Sequence, residues 1–191
     1  MDKQLLNREA VIEFYKSQEN LNAVQKVGYF SDHPENDNFE TVLEKITIII
    51  PMEALGQAFM REGLKKEVAE HIVSLNIQPE VIQGNCSEDE YLSLVGQIAS
   101  NHNIKMRFTD NNRANLVSFA SKYCGHHNQR YPFYDKLAYL WLKDCKYNVE
   151  YHDYPLFVSA FKKLRDDIGV SETEFTLRQI EYYVWCVMKT I

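Results

Sequence analysis

Apolar residues recur along this chain at three- and four-residue spacing, the period of helices rather than strands. Residues 7–18 predict a first amphipathic helix with Val11, Ile12, Phe14 and Tyr15 on its buried side. Residues 31–38 read Ser-Asp-His-Pro-Glu-Asn-Asp-Asn and predict a polar loop. Residues 39–50 start helical and become β-branched. The run from Ile46 to Ile50 has strand character, but no second good strand exists to pair with it, so a buried helix ended by Pro51 is expected. Further helices are expected over 52–60 and 64–75, divided near Gly63. Ser87-Glu88-Asp89-Glu90 has the form of a capping box, in which serine and glutamate each satisfy a backbone amide at a helix start. Leu92, Val95, Ile98 and Ala99 follow at helical spacing.

Residues 101–112 are polar and predict a connector. Residues 114–123 form a mixed segment. Residues 133–142 predict a helix with Phe133, Leu137, Leu140 and Trp141 spaced for burial, and 154–168 repeat the pattern with Leu156, Val158, Phe161 and Leu164. Ser171-Glu172-Thr173-Glu174 reads as a second capping box, opening a last helix with the stripe Leu177, Ile180, Val184, Val187 and Met188. Helix starts recur and hairpin signals are absent. The expected fold is all-α: a single helical domain over 1–191, with room for two lobes and an active cleft between them.

Composition limits the function classes. At 191 residues, 45% hydrophobic and 25% charged, the chain can bury a core without disulfides or metal. Cys86, Cys124, Cys145 and Cys186 are scattered without a Cys-x-x-Cys pair, and Met1-Asp2-Lys3-Gln4 opens no signal-peptide hydrophobic region. Both point to reduced thiols in a cytoplasmic protein. No apolar run reaches the roughly 18 residues of a membrane span, so no membrane partner is expected. The net charge of −6 is not that of a typical nucleic-acid binder. Its distribution changes the picture. Across 113–146 six cations (Arg113, Lys122, Arg130, Lys136, Lys143 and Lys146) face two anions (Asp135 and Asp144), a local +4 that leaves −10 for the remainder.

That basic stretch holds the candidate chemistry. Lys122 and Asp135 lie 13 residues apart, each at an expected helix start. The positive N-terminal pole of a helix and local desolvation disfavour an ammonium ion, leaving a neutral amine that can form a Schiff base. A helix opening at Phe133 or Tyr134 would set Asp135 in its first turn, with Pro132 just ahead, and a carboxylate there can stabilise a cationic sugar-like transition state or move a proton. Cys124, His126 and His127 pack soft ligands together, but a structural zinc site wants two separated ligand pairs and no second pair is present. No metal and no cofactor are expected. Ser121 adjoins Lys122, yet neighbours on a helix point about 100° apart, which disfavours a serine–lysine hydrolase. Phosphate-loop, Gly-x-Ser-x-Gly and His-Glu-x-x-His motifs are absent.

The segments Ser118-Phe119-Ala120-Ser121-Lys122-Tyr123-Cys124 and Pro132-Phe133-Tyr134-Asp135-Lys136 resemble the helix-hairpin-helix DNA glycosylases, in particular the 8-oxoguanine type and a bacterial branch of that superfamily. The resemblance implies duplex DNA as partner. It implies Lys122 as the nucleophile that attacks the anomeric carbon of a flipped damaged nucleotide, and Asp135 as the carboxylate that assists departure of the base. It further implies DNA-contacting roles for Ser121, Tyr123, His126, His127, Asn128, Phe133 and Tyr134, the aromatic residues among them stacking on the extruded base. An alternative keeps the scaffold without the chemistry, as a non-catalytic DNA-binding or protein-interaction protein. It draws on the acidic total charge and on Phe119-Ala120-Ser121, which stand where the family's hairpin has a Gly-x-Gly turn.

Overall fold

A computed structural model describes residues 6–24, 27–53, 62–100 and 116–190. The described residues form α-helices and no strands. The all-α expectation holds at that level. The chain divides into two compact units, residues 27–128 and residues 1–26 with 129–191.

The 27–128 unit runs α3 (Gly28–Asp32), α4 (Phe39–Met52), α5 (Glu62–Ser74), α6 (Pro79–Ile82), α7 (Glu88–Ala99) and α8 (Val117–His127). The β-branched run 46–50 is helical, as expected, because Val42, Ile46, Ile49 and Ile50 fall on one face and bury it completely or nearly so. Asn38 caps α4, accepting from Thr41 N at 3.0 Å, and Pro51 is taken into its last turn. The expected helix over 52–60 lies mostly outside the described residues, and the connector over 101–112 lies wholly outside them. α5 takes in Gly63 as its second residue, and the stretch just ahead of it, where the expected division falls, lies outside the described residues. The capping box of α7 forms as its residues dictate: Glu90 N donates to Ser87 Oγ at 3.3 Å, and Ser87 N donates to Glu90 Oε2 at 2.8 Å. α8 packs on α3, α4 and α7 and is buried along its whole length apart from Ser118.

The other unit comprises α1 (Arg8–Phe14), α2 (Gln18–Ala23), α9 (Lys136–Asp144), α10 (Tyr154–Ile168) and α11 (Leu177–Thr190). α11 packs against α1, α9 and α10. Three local expectations change here. The 7–18 helix stops at Phe14 and a new one begins at Gln18. Leu140 stands 40% exposed, because α9 turns Ala138, Tyr139, Trp141 and Leu142 inward instead. The Ser171–Glu174 pair closes a turn, with Ser171 N donating to Glu174 Oε2 at 2.9 Å and Glu174 N to Ser171 O at 3.1 Å, and does not open the last helix. α11 opens on a second reciprocal pair: Gln179 N donates to Thr176 Oγ1 at 3.2 Å and Thr176 N to Gln179 Oε1 at 2.8 Å. The sequence carries that signal as Thr-x-x-Gln.

Candidate functional site

In the 27–128 unit, Lys122 is the sixth residue of α8, not its first. The helix starts five residues earlier because Val117, Phe119 and Ala120 continue its buried run. The positive N-terminal pole expected beside the lysine is therefore not there. The Lys122 side chain is 6% exposed, and Nζ donates to the main-chain oxygen of Glu53 at 3.2 Å. Glu53 is the C-cap of α4, so the helix pole beside the amine is a negative one. No carboxylate of the described residues forms an ion pair with this amine.

One turn along α8, His126 addresses the same residue. Its Nε2 lies 3.0 Å from Glu53 Oε1, and because a carboxylate only accepts, Nε2 carries the hydrogen. The end of α4 thus holds both α8 side chains, the amine by its carbonyl and the imidazole by its carboxylate. Glu53 is a member of this cluster that sequence reasoning missed. It is 69 residues from Lys122, and no spacing rule links them.

A second buried amine was missed as well. Lys45 is completely buried, and its Nζ donates to Glu35 O at 2.6 Å and to Asn36 Oδ1 at 3.2 Å. Tyr123 Oη donates to the same Asn36 Oδ1 at 2.6 Å. Burial pushes the Lys45 ammonium down from its ordinary value to about 8, against the Glu35 and Asp37 carboxylates that pull it back up. Burial also pushes the Tyr123 phenol well up. A signal existed: Lys45 occupies a position within the apolar stripe Val42, Ile46, Ile49.

The neighbouring α8 residues are packed. Ser121 is buried, its hydroxyl donating to Ser118 O at 3.1 Å. The Tyr123 ring packs against Phe30 and Phe119, and His127 sets its ring edge-on to Phe30 at 4.9 Å. Asn128 caps the C-terminus of α8 and lies against Gly84. The Cys124 thiol is buried, which pushes it up and keeps it protonated. Among the described residues, no three His, Cys, Asp or Glu side chains gather as a metal set.

In the other unit, Asp135 is the N-cap of α9 rather than a first-turn residue, its Oδ1 accepting from Leu137 N at 2.7 Å. The helix opens later than expected because 131–134 are buried in the core without regular secondary structure, and Pro132 ends up four residues ahead of it. Phe133 is buried, with the Arg178 guanidinium 3.7 Å from its ring centre. Tyr134 is buried against Phe157, and its hydroxyl accepts from His152 N at 2.9 Å. The rings of Tyr123, Phe133 and Tyr134, expected to stack on an extruded base, are thus packed as core surfaces. Of the basic stretch, Arg113 lies outside the described residues, Lys122 is buried, and Arg130 is bound to Glu172 at 2.6 Å. Lys136, Lys143 and Lys146 are exposed.

A family model described as HI_0787_N: N-terminal domain matches residues 7–131. The chain belongs to that family. The matched span takes in Lys45, Glu53, Lys122 and His126 and ends before Asp135. No curated protein and no solved structure matches the chain. No helix among the described residues is long and apolar enough to cross a membrane.

Proposed function

We propose that the chain is a DNA base-excision glycosylase/lyase in which Lys122 is the amine nucleophile on a flipped, damaged nucleotide. The observation that carries the reading is the Lys122 amine itself: drawn out of water, bonded to a neutral carbonyl, and set one helical turn from an imidazole–carboxylate pair. An amine so placed is held in a defined direction, and no carboxylate of the described residues pairs with it; attack on an anomeric carbon also requires the amine to give up its proton, which the negative pole of α4 opposes. The amine nitrogen bonds to the sugar carbon, the glycosidic bond breaks with its electron pair leaving on the base, and the base takes up a proton. Opening of the sugar ring and loss of a proton from nitrogen then give the imine. The resemblance gives Asp135, the carboxylate that caps α9, the part of assisting departure of the base. Duplex DNA is the partner.

Borohydride trapping on duplexes carrying an abasic site or a single damaged base tests this. The wild-type chain is expected to give a covalent adduct, Lys122→Ala none, and Asp135→Asn slower base release. Absence of an adduct on every substrate, or an adduct that persists in Lys122→Ala, overturns the reading. A second reading, a non-catalytic DNA-binding or interaction scaffold, is favoured by the packing of Tyr123, Phe133 and Tyr134 into the core. Binding of the same duplexes without trapping would decide for it.

A further inference from the structure

The segment that delivers Asp135 is held by a buried ion pair that the proposed reaction has not yet used. From α11, Leu177 N donates to Arg130 O at 3.1 Å. Phe133 N donates to Glu181 Oε2 at 3.4 Å. Arg178 binds the same Glu181 oxygen and lays its guanidinium over the Phe133 ring at 3.7 Å. From the start of α10, Tyr154 Oη donates to Pro132 O at 2.8 Å, and His152 N donates to the Tyr134 hydroxyl at 2.9 Å. Arg178 and Glu181 are 7% and 2% exposed. Replacing two charges removed from water by an apolar pair of similar volume is often neutral or stabilising, so net stability does not by itself account for this pair. The geometry they fix is that of residues 130–134, and the residue next along the chain is the half-buried carboxylate that caps α9.

We infer that Arg178 and Glu181 are positioning residues that set the direction of the Asp135 carboxylate through Phe133. Glu181 fixes the Phe133 amide, Arg178 fixes the Phe133 ring, and the two together leave the chain one way to enter α9. The role in catalysis rests on the reaction proposed above; the positioning itself does not.

The test is hydrogen exchange at the Phe133 and Leu137 amides, read beside single-turnover base release. Arg178→Met/Glu181→Leu replaces the ion pair by apolar groups. It is expected to speed exchange at both amides about tenfold while α10 amides keep their protection. It is also expected to slow base release about tenfold with DNA affinity unchanged. Glu181→Gln keeps an acceptor for the Phe133 amide and is expected to restore slow exchange there. Unchanged exchange at Phe133 and Leu137 in the double variant overturns the inference. If the double variant folds poorly, Arg178→Lys keeps the charge and loses the planar stack, and unchanged exchange in it overturns the inference equally. A wild-type chain that never traps DNA removes the proposed reaction, while exchange still decides whether the pair positions Asp135.

Discussion

Lys45→Met isolates the cost of burying an ammonium ion in the 27–128 unit. In the folded chain Lys45 titrates at about 8, against an ordinary value of 10.5. Between pH 8 and 10 the unfolded chain therefore keeps a proton that the folded chain has released. Where the unfolded state binds more protons, stability rises with pH. For this shift the rise over pH 8 to 10 comes to about 2 kcal/mol. Other groups work against it. Burial pushes the Cys124 thiol and the Tyr123 phenol up, so the unfolded chain loses those protons first and stability falls as pH rises. Both groups remain in the variant, so the difference between the two proteins reads Lys45 alone. Urea unfolding followed by far-ultraviolet circular dichroism at pH 7, 8, 9 and 10 supplies the free energies. Relative to Lys45→Met, the wild type is expected to gain about 2 kcal/mol between pH 8 and 10. A gap that stays constant across that window would show that the Lys45 ammonium keeps its water and would refute the reasoning.

The remaining predictions concern backbone and caps. Gly84 has φ of +105°, and a Cβ there would come within 2.8 Å of Asn128 Nδ2, so Gly84→Ala is expected to cost about 2 kcal/mol in urea unfolding. A variant as stable as wild type would mean that the Asn128 side chain moves aside freely. Thr176→Ala removes the acceptor for Gln179 N at the head of α11 and is expected to cost about 1 kcal/mol, whereas Ser171→Ala, outside any helix start, is expected to cost less. Equal losses from the two would restore Ser171 as the cap. In trapping assays, Lys45→Met is expected to retain the adduct that Lys122→Ala loses, since Lys45 is wholly enclosed.

Signals that act within one helical turn were readable from the chain alone. The Ser87–Glu90 box and the limits of α10 at 154–168 follow from contacts over three or four residues, and they formed; the helical state of 46–50 followed instead from the lack of a second good strand signal in the sequence. Asp135 does lie at a helix start, but as the N-cap of α9 and not in its first turn, since the helix opens at Lys136, two or three residues later than expected, with the preceding residues drawn into the core. The last helix shows how such signals compete. Two reciprocal pairs lie five residues apart, and the later one opens α11 because the buried stripe starts at Leu177.

Local patterning along the chain was enough to give helices throughout the described residues, the Ser87–Glu90 box, and a lysine and an aspartate of interest. Long-range packing set what surrounds them. Lys122 meets the end of α4 because α4 and α8 pack together, and so its amine lies beside a carbonyl and a negative helix pole instead of a positive one. Lys45 and the Arg178–Glu181 pair became buried for the same kind of reason. Whether a charge is desolvated depends on partners brought from far along the chain, and spacing over one or two turns carries no record of them.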